Sequence, residues 1–356
     1  MKALLISPYL DVLGGGEKYL LSIGRYLSEN NYLVELAWKN KTIKSAIINQ
    51  FGNQYDFINI NSHWPTLHSW QRLLKSRAYD VIFYHSDGSY FFSLAKKNFQ
   101  LFQVPEEKLI PSHNLLTQLK FSFWTPVFNS RFTARFFLKH QATKKHFLLY
   151  PKTENFLKTM PKKSRLILSV ARFFGHLHSK KQEVLIKAFI SGMKKYPEFK
   201  NYSLVLAGGF KKEDQSYLQY LKKLIKNHNN IEIKTNLTYS QIQELYKKAQ
   251  FFWHGAGYNI NEQKQPSLVE HFGISIVEAM ASFCVPFVYP AGGPKEIVRA
   301  NYNGLFFQSP AQLAKLTSEL IINKSLYHKM AEQARKTAET KFGNKVFKNS
   351  LEQMLS

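Results

Sequence analysis

The chain is short of cysteine, of acidic residues and of long apolar runs, and each shortage removes a class of protein. Cys284 is the only cysteine, so neither an intrachain disulfide nor a cysteine-ligated metal cluster can form, which fits a reducing cytoplasm. No stretch approaches the ~20 apolar residues that a membrane-spanning helix needs. The opening "MKALLISPYL" lacks the apolar core and small-residue cleavage site of a secretory signal and reads as a first strand. Neither G-x-G-x-x-G nor a G-K-[ST] ending occurs, so neither a dinucleotide fingerprint nor a P-loop is supported.

Positive charge is in excess, with 49 Lys and Arg against 24 Asp and Glu and a formal net charge of +25. Such a balance points to a polyanionic partner (nucleic acid, an anionic membrane surface or phosphorylated small molecules) or to a solubilising coat. Hydrophobic residues make up 44% of the chain and aromatics 15%, enough for packed cores, and 356 residues suit two domains.

The first half alternates strand-like and helix-like segments. Ala3–Ser7 suits a buried parallel strand, and Leu20, Ile23, Gly24 and Leu27 recur at helical spacing before Asn30 and Asn31. Further strands are expected at Tyr32–Trp38, Asp80–Tyr84, Phe99–Gln103 and Lys108–Pro111. The pattern lapses into Pro, Lys and Thr over Tyr150–Arg165 and then restarts with "RLILSVAR", "SLVLAGG", "IEIKT", "FFWHG" and "VPFVYP", separated by helical segments. Strand, turn, helix, strand is a βαβ unit, which implies parallel sheets covered by helices. The domains are expected at 1–155 and 156–340, with a helix over 341–356 returning to pack on the first.

Between the first strand and its helix stand three glycines, Gly14 to Gly16. A bare loop at a helix N-terminus offers N–H groups and the positive end of the helix dipole to an anion. In the second half, "SLVEHFGISIVEAMAS" separates Glu270 from Glu278 by seven residues, with Gly273 breaking the chain before the helix that carries Glu278. Carboxylates so placed can take vicinal sugar hydroxyls, and the backbone N–H groups of Phe272, Gly273 and Ile274 suit a phosphate. Arg172 directly follows a strand, and Lys180 lies a short loop later. An arginine fork and a lysine point charge can together neutralise a diphosphate.

In this order the motifs resemble one family, the retaining glycosyltransferases of family 4. Those carrying the resemblance are "GGGEK", "NSRFT", "LYP", the Arg172/Lys180 pair, the E-x7-E element "EHFGISIVE" and "GGPKEIV…NGLFF". The finer texture of "GGGE", "RFF…HSK" and "EHFGI" is similar to mannosyltransferases of lipid-linked oligosaccharide assembly. The resemblance implies a GT-B fold, two Rossmann-like doubly wound parallel-sheet domains facing a central cleft. It also implies transfer of a hexose of mannose, glucose or GlcNAc type, from a UDP- or GDP-sugar to a glycan or lipid-linked acceptor.

Carried over by position, Arg172 and Lys180 would hold the donor diphosphate, with Lys181 as the fallback for Lys180. Glu278 would bind the ribose, Glu270 the transferred sugar and His271 the diphosphate or sugar, while Gly15 and Gly16 would let the backbone close over the donor. The histidine that family members often carry in the first domain is missing. Leu101 or Phe102 stands near its place, with His85 and His113 as nearby alternatives. The five aspartates, at 11, 56, 80, 87 and 214, form no D-x-D, so metal-independent chemistry without a cofactor is expected. A nucleotide-sugar epimerase of the same fold and a basic nucleic-acid-binding protein are the alternatives, although the latter makes no use of the glutamate pair. The expected location is cytoplasmic and peripheral to the inner membrane face, with "YFFSLAKKNF" and "RFTARFFLKH" as the basic-aromatic docking runs.

Overall fold

A computed structural model describes residues 1–11, 13–143, 145–154, 156–175 and 180–356. By its internal contacts the chain divides into one unit of Met1–Lys152 with Lys345–Ser356 and another of Thr153–Asn344. The first division falls slightly before the boundary read from composition. The return to the first unit begins slightly after the expected one.

The first unit is built on seven strands: β1 (Lys2–Ile6), β2 (Leu33–Ala37), β3 (Asn59–Asn61), β4 (Val81–His85), β5 (Lys97–Phe102), β6 (Thr125–Phe128) and β7 (Phe147–Leu148). They form one sheet in the order β3-β2-β1-β4-β5-β6-β7, and every pairing is parallel. The side-chain period of two sends alternate residues to opposite faces. Ala3, Leu5, Val81, Phe83, Phe99 and Leu101 enter one apolar cluster. Leu4, Ile82, Tyr84 and Phe102 enter another, so both faces of the sheet are buried. The helix over Asn344–Leu355 adds Phe347, Leu351 and Met354 to the first cluster, and Lys348 pairs with Glu29 at 2.8 Å.

The second unit has six parallel strands: β8 (Leu166–Val170), β9 (Ser203–Gly208), β10 (Ile231–Thr235), β11 (Phe251–His254), β12 (Val285–Val288) and β13 (Leu305–Phe306). Their order is β10-β9-β8-β11-β12-β13. Both sheets therefore reverse strand order once, at β1/β4 and at β8/β11. In open parallel sheets the crevice at such a switch point is where ligands bind.

Two expectations are corrected. Lys108–Pro111 is not a strand: Glu107–Leu109 makes a single 3₁₀ turn, and β6 pairs directly with β5. Pro105 and Pro111 bracket the segment, and proline offers no ladder donor. The second correction concerns the basic-aromatic runs. Phe91, Phe132 and Phe137 are buried in the first unit, so these runs spend much of their aromatic surface on the core. Leu94 of the first run is exposed, and a further exposed apolar face lies on the Leu115–Phe121 helix, where Leu115, Leu116 and Leu119 are 85%, 56% and 50% exposed. Among the described residues no helix is long and apolar enough to cross a membrane.

Candidate active site

The site grows from the carboxyl end of β8. There the backbone of Phe173 bonds to Gly209 O at 2.9 Å, which ties the segment carrying Arg172 to the turn after β9. The Arg172 carbonyl accepts from the buried side chain of Gln182 at 3.0 Å, at the start of the Gln182–Lys195 helix. Its guanidinium lies 5.4 Å from the Phe174 ring and forms no ion pair among the described residues. Positions 176–179, including His178 and Ser179 of the "HSK" texture, lie outside the described residues. Lys181 caps the following helix in a left-handed conformation, with φ of 57°, and Lys180 is the lysine that enters the site.

Lys180 Nζ donates to Glu270 Oε2 at 2.8 Å. Both side chains are mostly buried, at 18% and 16% exposure, so this pair is far less screened than a surface salt bridge. His254, the last residue of β11, brings Nε2 to 3.1 Å from the same carboxylate oxygen. The ring is buried, so it meets the carboxylate away from bulk water. Burial alone would raise the Glu270 carboxyl, but the Lys180 charge and His254 outweigh it and hold Glu270 well below the usual carboxylate range. The arrangement is an ionised carboxylate at a switch point, suited to accepting hydrogen bonds from hydroxyl groups.

Glycines after β12 hold this carboxylate's backbone in place. Gly292 has φ of 67°, and a Cβ there would sit 2.2 Å from Glu270 O. Gly293 N donates to the same carbonyl at 2.8 Å. Glu262 accepts from Gly292 N at 2.7 Å and also pairs with Lys295, clamping the long loop between β11 and Glu270 to the glycine turn. Gly273, with φ of 105°, then starts the Ile274–Ala281 helix. A residue with a Cβ would be strained at that angle.

The remaining expected residues fall into place as follows. Glu278 lies one turn into the Ile274–Ala281 helix and accepts from Tyr246 Oη at 3.3 Å. Burial and then Glu278 itself keep the Tyr246 phenol well above its ordinary pKa, hence protonated and donating. His271 Nε2 lies 3.1 Å from Ser267 O, so its ring engages its own loop. Phe272 is buried against Phe342, with ring centroids 5.6 Å apart, and Ile274 begins the helix.

In the first unit, Gly15 and Gly16 open the Gly15–Glu29 helix behind a capping interaction in which Glu17 accepts from Gly14 N at 2.7 Å. A Cβ on Gly16 would lie 2.8 Å from Gln103 Oε1, the end of a flexible side chain whose Nε2 donates to Gly16 O at 3.2 Å. Leu101 and Phe102 are buried. His113 is exposed, whereas His85 is buried, sits 3.3 Å from Ser7 Oγ and is pushed down to about 4 by burial, hence neutral.

Sequence reasoning missed His254 and the Glu262 clamp. One signal for His254 was present: a histidine ending a buried apolar parallel strand stands where open sheets place ligand-binding residues. Among the described residues no group of three or more His, Cys, Asp or Glu could hold a metal ion.

The fold recurs in known proteins. The family described as Glycosyl transferases group 1 matches residues 152–337. An alpha-1,3/1,6-mannosyltransferase, ALG2, of Rhizomucor pusillus is 28% identical over 264 residues, covering 64% of this chain and 56% of that protein. A GDP-Man:Man(3)GlcNAc(2)-PP-Dol alpha-1,2-mannosyltransferase of Dictyostelium discoideum is 28% identical over 199 residues, covering 52% and 37%. The chain thus spans between about a third and a little over half of the length of these relatives. Among solved structures, Anabaena HepE in complex with UDP and glucose superposes with a TM-score of 0.71 at 17% identity, covering 100% of this chain and 99% of that one. A glycosyltransferase from Rickettsia africae gives 0.74 at 18%, covering 99% and 97%. The two parallel-sheet domains are those of GT-B glycosyltransferases, and the chain belongs to the family of group 1 glycosyl transferases.

Proposed function

We propose that the chain transfers a hexosyl unit from a nucleoside-diphosphate sugar to a glycan or lipid-linked acceptor, with retention of anomeric configuration and without a metal ion. The observation that carries this reading is the mostly buried Lys180–Glu270 pair at the β8/β11 switch, with Arg172 eight residues before Lys180 and in no ion pair among the described residues. Arg172 and the N–H groups that Lys180 does not give to Glu270 take the diphosphate, doing electrostatically what a metal would do elsewhere. Glu270 accepts from hydroxyls of the transferred sugar, and Glu278 takes the ribose diol. The bond from the anomeric carbon to the phosphate oxygen breaks and one to the acceptor oxygen forms. The acceptor's proton passes to the leaving phosphate, so no protein base is required.

In the first unit, Gly15 and Gly16 supply bare backbone at a helix N-terminus for an anionic substrate group. The names of the matched relatives, with their GDP-mannose and dolichol-linked substrates, support a lipid-linked acceptor. So does the exposed Leu115, Leu116 and Leu119 face with Lys120 beside it, which fits an anionic membrane surface.

A thermal-shift panel of UDP-, GDP- and ADP-sugars, each with and without EDTA, tests this reading. A ligand at about 100 times its Kd stabilises by roughly 2.7 kcal/mol. At least one donor should shift the transition equally in EDTA. No shift with any donor would reject the function, and turnover abolished by EDTA but restored by Mn²⁺ would reject the metal-free mechanism.

A further inference from the structure

The first unit holds a cavity of about 400 Å³ at the carboxyl ends of β1, β2 and β4, a volume within the roughly 300–1,000 Å³ of small-molecule sites. None of the donor-site residues named above lines it. Its apolar walls include Trp38, Trp64 and Phe91, with the last two rings 6.1 Å apart. Three charged residues line it: Lys39, Arg72 and Asp87.

Asp87 is engaged through Oδ1, which accepts from the Tyr84 hydroxyl and from Ser89 N at 2.9 Å. Arg72 is not. Its guanidinium lies 5.9 Å from the Phe91 ring and makes one long contact, 3.4 Å to Pro65 O, while its Nε is buried with no hydrogen-bond partner. Neither Arg72 nor the exposed Lys39 forms an ion pair among the described residues. A buried charged donor left unpaired is costly, and a ligand oxygen would remove that cost. Two cations against one engaged carboxylate select an anion, and a planar guanidinium favours a carboxylate or phosphate. Aromatic walls suit the apolar face of a pyranose ring.

We propose that this cavity binds a sugar unit bearing a carboxylate or phosphate, with Arg72 taking the anion and Lys39 at the rim. That the bound unit is the acceptor rests on the transfer reading above; the binding itself does not.

Calorimetric titration of the full chain with methyl glucuronide, mannose 6-phosphate, methyl mannoside and inorganic phosphate tests the proposal and separates the two anionic sources. One or both charged sugars should bind at least about tenfold tighter than the neutral glycoside or phosphate, and Arg72→Gln should weaken them by about tenfold. Lys39→Gln, an exposed change that leaves the core alone, should weaken them less, and added salt should weaken them in the wild type. Equal binding of neutral and charged sugars, or charged-sugar affinity unchanged in both variants, would overturn the proposal. So would inorganic phosphate binding as tightly as the sugars. The donor-induced thermal shift, read on the same samples, separates the two readings. Loss of that shift with anionic-sugar binding intact counts against transfer, and the reverse counts against this cavity.

Discussion

Lys180→Met removes one partner of a mostly buried ion pair and leaves the Glu270 carboxylate facing the buried His254 ring without the lysine charge. Orphaning a buried charge costs about 3–5 kcal/mol. Taking the lower end, since the site opens partly to solvent, about 3 kcal/mol corresponds to a fall of roughly 6–12 °C in Tm for a unit of this size. The pH dependence gives the sharper reading. Glu270 ionises well below the usual range in the fold and near ~4.3 when unfolded. Its stabilisation is therefore fully present above pH ~4.3 and is lost as pH falls through the depressed folded value. In the variant, burial acts without the lysine and the carboxyl moves up, so neutral pH penalises the variant most. Urea denaturation of both proteins from about pH 3 to about pH 7 should show a gap that widens as pH rises. A gap under about 1 kcal/mol at neutral pH would place the pair among ordinary surface bridges. A gap independent of pH would refute the electrostatic account.

Glu278→Ala should raise KM for the donor, because the ribose contact is the same in ground and transition states. Glu270→Ala should mainly lower kcat, because its sugar contact strengthens as the sugar becomes cation-like; near-wild-type kinetics for both would remove the pair from the site. Gly292→Ala puts a Cβ 2.2 Å from the Glu270 carbonyl at a positive φ, and should lower kcat at saturating donor along with Tm. Wild-type values in both measurements would show that the turn does not position Glu270. Leu116→Asp, on an exposed site, should leave the unfolding free energy within about 0.5 kcal/mol of wild type and weaken co-sedimentation with anionic liposomes, and unchanged sedimentation would exclude this face as the docking surface.

Much of the architecture was legible because it is local. Parallel strands buried on both faces read as short apolar runs, and β1, β4, β8, β9 and β12 each carry one. β3 with "NIN" and β7 with "FL" are too short for any periodic signal. They are held by their neighbours rather than by their own pattern. The Arg131–His140 helix misled for a related reason: a basic-aromatic composition does not say which residues face inward, and Phe132 and Phe137 do.

The sequence by itself determined the fold class and the two-domain plan and offered candidate residues that include Lys180 and Glu270 but not His254 or Glu262, since strand–turn–helix junctions and the E-x7-E spacing are contained in short stretches of chain. Only the tertiary structure decided who meets whom. Lys180 finds Glu270 across 90 positions, and His254 joins them because β11 lies beside β8. Gly292 and Gly293 fit against the Glu270 loop only once β12 is laid alongside β11. Strand adjacency is a long-range pairing chosen by the whole core, and a run of apolar residues specifies that a strand is buried without specifying its neighbour.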